Sequence, residues 1–264
     1  EPSMMRAVTG HKGGMGFDTH VVGFEVHSSI MNQGVSAVLE GARLIDWANH
    51  RNAENSASTP SDLASLFDPP FTTWHVGQVQ GGTAHNITAK DCHFSMDFRA
   101  VPGDDKADLE EAYRTKVAEV EAGMRTVHAD ARIDVSTRFD VPALMPEEDG
   151  LAEGFVRQIT GDNGNHVVSY GTEAGQFQQA GYSAVVCGPG DIAQAHQPNE
   201  FITVAQFEAG HQFMRDLLAR LMWRQNGALA GQRPQDAPPA VPYGCGLLTL
   251  SETLCRVIPR FPMN

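Results

Sequence analysis

KDCHFSMDFR, residues 90–99, places Cys92, Phe94, Met96 and Phe98 at every second position between polar neighbours. Successive side chains of a strand point to opposite faces, so a period of two predicts a half-buried strand with one apolar face. Downstream, Pro102-Gly103-Asp104-Asp105 reads as a turn followed by a helix N-cap. The helix is expected to run to about Glu121, and another strand follows at 131–139. Upstream, FTTWHVGQVQ at 71–80 reads as a strand closed by a turn at Gly81-Gly82. Before it come a polar loop at 51–70 and a helix at 33–50, with Val35, Val38, Leu39, Ala42, Ile45 and Trp47 near helical spacing. The second half of 14–27 alternates as a strand again. The order is β-α-β-β-α-β, the ferredoxin-like split unit. It predicts one four-stranded antiparallel sheet backed by two helices over residues 14–140.

After Pro142 the pattern changes. Helices are expected near 149–160 and 173–180, strands at 166–169 and 182–187, and a long helix over 203–223. Alternating helix and strand points to an α/β layer with a parallel component. This piece is short for a core of its own. From Arg224 the chain is rich in Ala, Gly, Pro and Gln without periodicity, so 224–264 is expected to be an irregular tail. No internal repeat is visible.

Composition narrows the function. Nineteen basic against 32 acidic residues give a net charge of -13, a surface that repels phosphate backbones and anionic lipid. Nucleic-acid and membrane partners are therefore not expected, and a cytoplasmic location is. Cys92, Cys187, Cys245 and Cys255 form no C-x-x-C pair, which argues against a cysteine-rich zinc knot and against a disulfide framework.

Five segments carry candidate chemistry. The apolar run ending at Cys187 leads into Gly188-Pro189-Gly190 and then Ala195-His196-Gln197-Pro198. Loops at the carboxyl ends of strands hold the sites of open α/β sheets, and a neutral imidazole there is a good metal ligand. Taken alone, a surface loop histidine is the plainer reading. Gly171-Thr172-Glu173-Ala174 stands at a strand-to-helix junction, where its amides suit an anion and a helix cap equally. His27, in Val26-His27-Ser28-Ser29, sits at a strand end where an exposed or capping role is common. Asn86 and Arg99 offer an amide and a carboxylate fork but are ordinary surface residues singly. Glu1-Pro2-Ser3 says nothing by itself.

Together and in this order, the segments resemble the M20 zinc amidohydrolases and peptidases, across roughly residues 1–222. The most specific part is GTEAGQFQQAGYSAVVCGPGDIAQAHQPNEFI, 171–202. The resemblance implies a partial, zinc-peptidase-like α/β catalytic domain interrupted by the ferredoxin-like lid, or dimerisation, domain. Residues 1–13 would end the first catalytic segment, 14–140 form the lid and 141–223 the second segment. It implies hydrolysis of an N-acyl amino acid by a homodimer, with two Zn²⁺ (or Co²⁺) per complete site. Glu1 and His196 match metal ligands, and His27 matches a lid histidine that polarises the scissile carbonyl in the partner's site. Asn86 and Arg99 match contacts to substrate oxygens, while Thr172, Gly188 and Gly190 match the substrate-facing wall. The family also uses an H-x-D motif, a bridging Asp and a Glu-Glu pair ahead of the Glu-Pro segment, so this chain is expected to be a piece of such an enzyme. His128-Ala129-Asp130 and Glu147-Glu148 spell two of these motifs in the wrong place, and a structural role is expected for both.

Overall fold

A computed structural model describes residues 1–195 and 197–229, those from 223 onward as helix backbone only. The chain divides into two compact units, Glu1–Leu217 and Leu218–Asn264. The elements are β1 (Val8–His11), β2 (Gly13–Val22), α1 (Ala37–Ala57), β3 (Thr73–Gly81), β4 (Asp91–Ala100), α2 (Lys106–Arg125) and β5 (Arg132–Val141). They continue with α3 (Leu151–Thr160), β6 (His166–Val168), α4 (Ala174–Gln179) and α5 (Val204–Leu229).

Strands β2 to β5 make one four-stranded sheet in the order β3-β4-β2-β5, every neighbouring pair antiparallel. The alternation around residue 94 has its expected cause. Cys92, Phe94, Met96 and Phe98 are buried beneath α1 and α2, while His93, Ser95, Asp97 and Arg99 face the other way. Tyr113 of α2 anchors this core. Its ring lies 5.0 Å from Phe17, its hydroxyl is 2.6 Å from Thr19 Oγ1, and burial pushes its pKa up to about 12. Asp105 caps α2 by accepting from the Ala107 amide at 2.8 Å, as the turn residues led one to expect.

Helix α1 departs from expectation in length and in face. It runs to Ala57, through the first residues of the expected loop, and its buried stripe is Ala37, Gly41, Leu44 and Ala48. Val38 and Leu39, which share the helical spacing of the apolar residues, are 39% and 54% exposed. Several faces of α1 carry apolar residues, and small Gly41 is the one that lets the helix approach Cys92 and Phe94 closely. The helix expected to end near 223 continues to Leu229, and residues 230–264 of the expected tail lie outside the described residues.

The rest of the first unit is thinner. β1 pairs in parallel with β6, and Val8, Leu144 and Val186 form a small second core. The strand expected at 182–187 is reduced to a single antiparallel bridge, Val8↔Val186. Beyond that bridge, no neighbouring strand among the described residues extends the pairing.

Candidate active site

Residues from the two ends of the first unit meet at the start of the chain. The Ser3 and Met5 amides donate to the Gly188 carbonyl at 3.1 and 2.9 Å, and the Met4 amide donates to the Gly190 carbonyl at 2.8 Å. These bonds hold Met4 and Met5 at φ 54° and 59°, a region that non-glycine residues avoid. The contact requires glycine at 188, since a Cβ there would lie 2.3 Å from the Glu1 carbonyl oxygen. Gly190 takes φ 89°, which only glycine adopts freely. Glu1 and Thr172 both line a cavity of about 600 Å³ walled by Glu173, Phe177, Tyr182 and the segment up to Cys187. The Thr172 hydroxyl accepts from the Ala174 amide at 3.0 Å, so it caps the start of α4 as well as facing the cavity. Burial and Asp162 push the Cys187 thiol up to about 11. At neutral pH it is a thiol, which removes it as a nucleophile.

Sequence reasoning missed His11, which is fully buried in β1. Its Nδ1 is 2.9 Å from the Lys12 carbonyl, and its Nε2 has no well-formed hydrogen bond. Burial lowers its pKa, opposed by the Lys12 carbonyl and by the carboxylates of Glu1 and Glu173. The one available signal was an imidazole inside an otherwise glycine-rich strand segment, Gly10-His11-Lys12-Gly13.

His27 and Asn86 are brought together elsewhere. The Ser28 amide donates to the Asn86 carbonyl at 2.9 Å, and His27 bridges Ile87. His27 is exposed and N-caps a 3-10 turn, with its Nδ1 accepting from the Ser29 amide at 3.3 Å. Nδ1 is also 2.8 Å from Ser29 Oγ; with Nδ1 as the acceptor of both contacts, the neutral ring carries its proton on Nε2. Arg99 is not in this group. It lies at the opposite end of β4, paired with Gly14, 3.4 Å from Asp97 Oδ1 and with its guanidinium over the Phe139 ring at 5.4 Å. The ten residues of β2 separate His27 from the end that leads to Glu1. That is about 30 Å of strand. His196 falls outside the described residues.

The two misplaced motifs are structural, as expected. His128 stacks on Phe24 with centroids 3.8 Å apart. Glu147 accepts from Ser183 Oγ, the Ala184 amide and Gln178 Nε2, and these bonds hold its pKa below the usual carboxylate range against burial. Glu147 thus ties its own segment to residues 183–184.

The fold defines a class: a small α/β layer joined to an antiparallel four-stranded domain backed by two helices. Residues 9–125 match the family model of the M20 peptidase dimerisation domain. The chain is similar to acetylornithine deacetylases. It is 32% identical to that of Myxococcus xanthus over 77% of this chain and 52% of the relative. It is 31% identical to that of Erwinia tasmaniensis over 84% and 55%. A tripeptidase from Staphylococcus aureus shares the fold at TM-score 0.60 and 17% identity, over 81% of this chain and 53% of that one. The yeast dipeptidase Dug1p does so at 0.57 and 14%, over 81% and 55%. The chain spans about half the length of the curated relatives it matches. Among the described residues no helix is long and apolar enough to cross a membrane.

Proposed function

We propose that this chain is part of a zinc-dependent amidohydrolase that cleaves N-acetylornithine to ornithine and acetate, a cytoplasmic step of arginine biosynthesis. The observation that carries the reading is the meeting of Glu1, Thr172 and Gly188 at one place, in a chain 32% identical to a deacetylase. On this reading residues 14–140 are a ferredoxin-like lid between catalytic segments 1–13 and 141–223.

Glu1 and His196 are assigned as metal ligands. A catalytic zinc needs at least three protein ligands, and among the described residues no group of three His, Cys, Asp or Glu ligand atoms surrounds Glu1. These residues alone do not make a zinc site. What this chain supplies is binding and hydrogen-bond donation. The Nε2–H of His27 suits the oxyanion that develops when an amide carbonyl is attacked, and Asn86 beside it offers an amide donor. The Arg99 fork matches a substrate carboxylate. Thr172 and the Gly188–Gly190 backbone are assigned to the substrate-facing wall. Because His27 and Asn86 stand at the far end of the sheet from Glu1, we assign them to the partner's site in a homodimer.

Two other readings stand beside this one. Another deacylase of the family, such as a succinyl-diaminopimelate desuccinylase, fits the same residues. A non-catalytic dimerisation module is favoured by the incomplete ligand set. The test is to take the full-length protein that contains this chain, load it with Zn²⁺ or Co²⁺, and assay it on N-acetylornithine and on N-succinyl-diaminopimelate. Ornithine release that disappears in Glu1→Gln is expected. Succinate release instead moves the substrate to the desuccinylase. No release above the Glu1→Gln background from either compound overturns the enzymatic reading in favour of the module.

A further inference from the structure

The sheet face turned away from α1 and α2 carries a cluster the reading above does not use. His20 of β2 and His93 of β4 are direct cross-strand partners. Asp91 precedes His93 by two residues, which puts it on the same face of β4. One ligand atom from each of the three lies within 4.8 Å of the others. His20 Nε2 is 2.8 Å from Asp91 Oδ1, and the two imidazoles stack with centroids 3.8 Å apart and planes 17° from parallel.

We propose that His20, His93 and Asp91 form a binding site for a divalent transition-metal ion of the zinc class, separate from the candidate active site. The donor set is two imidazoles and a carboxylate, which is zinc's own, and it leaves a fourth position for water. Zinc–ligand bonds of about 2.0–2.1 Å set tetrahedral ligand atoms about 3.3 Å apart. Turning the two imidazoles out of their stack, so that their in-plane lone pairs converge, brings the three donors to that spacing with no change in strand register. The surroundings favour a cation. Asp134 is the cross-strand partner of His20 on β5, and Asp18 lies on the same face of β2. Their counter-charges are Arg132, 3.1 Å from Asp134, and Arg138, 3.7 Å from Asp18. Three carboxylates thus face two guanidiniums. A trough of about 860 Å³ lined by both histidines gives an ion its way in. A plain His20–Asp91 ion pair with His93 stacked on it leaves the nitrogens of His93 without a part. An ion held here ties β2 to β4 in the folded chain only, and so stabilises the domain by mass action.

The test uses the whole chain, stripped with a chelator and titrated with Zn²⁺. The ring nitrogens of His20 and His93 are followed by NMR, thermal unfolding is measured in parallel, and bound zinc is counted by equilibrium dialysis. Both histidines are expected to shift together and the melting temperature to rise. His20→Gln and His93→Gln should each abolish both effects and lower bound zinc by one ion per chain, while Glu1→Gln leaves this ion in place. Loss of a direct ligand should weaken binding by more than the ~10–100-fold that an outer-shell partner is worth. If neither imidazole of the unaltered chain responds to Zn²⁺, the proposal fails, and that measurement needs no variant to fold. It fails equally if His93→Gln binds the same number of ions with the same affinity.

Discussion

Lys12 is an ammonium with almost no access to water, 1% exposed, between the two parts of the first unit. Its Nζ donates to the Pro69 and Phe71 carbonyls at 2.7 and 2.8 Å. Burial lowers its pKa from 10.5 to about 8, only partly opposed by Asp68 and Asp104. The folded chain therefore releases this proton near pH 8, while the unfolded chain holds it to about 10.5. Between those values the unfolded state binds more protons, so the stability contributed by this residue rises with pH and is lowest below pH 8. Lys12→Met should remove that rise. It should also leave the half-buried Pro69 and Phe71 carbonyls without their donor, at a cost of at most about 1–3 kcal/mol each, against the relief of no longer burying a charge at neutral pH. Denaturant midpoints at pH 7 and pH 10 check both effects. A variant whose midpoint climbs with pH as steeply as the parent would show that another group sets the slope.

At the scale of elements, what was legible in the sequence is what a single periodicity reports. β4 was readable because one face packs on helices and the other does not, so burial prints itself on every second residue. Asp105 was readable because capping is a local event. The face of α1 was not, since Val38 and Leu39 satisfy helical spacing as well as Leu44 does, and only packing decides between them. The candidate site was legible only in pieces. Glu1 abuts Gly188 through a tertiary contact no local pattern encodes, and buried His11 interrupts no periodicity. The corrected stripe of α1 can be tested directly. Leu44→Ala empties a fully buried position and should cost about 2–5 kcal/mol. Leu39→Ala, at a position 54% exposed, should stay within about 0.5 kcal/mol in chemical denaturation at low protein concentration. Equal losses at the two positions would return the helix to the orientation that spacing alone suggested.

At the scale of the whole molecule, the length of the four-stranded sheet separates the groups assigned to one reaction. Ten residues of β2, about 30 Å of strand, lie between the end that carries His27 and the end that joins β1 on its way to Glu1. A donor must come within about 3 Å of the oxygen it stabilises, so His27 cannot serve the Glu1 of its own chain across that span. A two-fold dimer removes the difficulty, because each subunit then gives its His27 and receives the other's. His27→Ala in the metal-loaded enzyme should leave zinc content unchanged and lower kcat by about 10²–10³, the usual cost of one oxyanion donor. Mixing that variant with Glu1→Gln separates action across the dimer from action within a chain. After full exchange, half the dimers are hybrids, and each hybrid holds one site with both an intact Glu1 and an intact His27. Activity should therefore recover to about a quarter of the parent's. If His27 acted within its own chain, every hybrid site would lack one of the two residues. Dimers shown to have exchanged subunits would then stay at the level of the separate variants, and the assignment of His27 to the partner's site would be wrong.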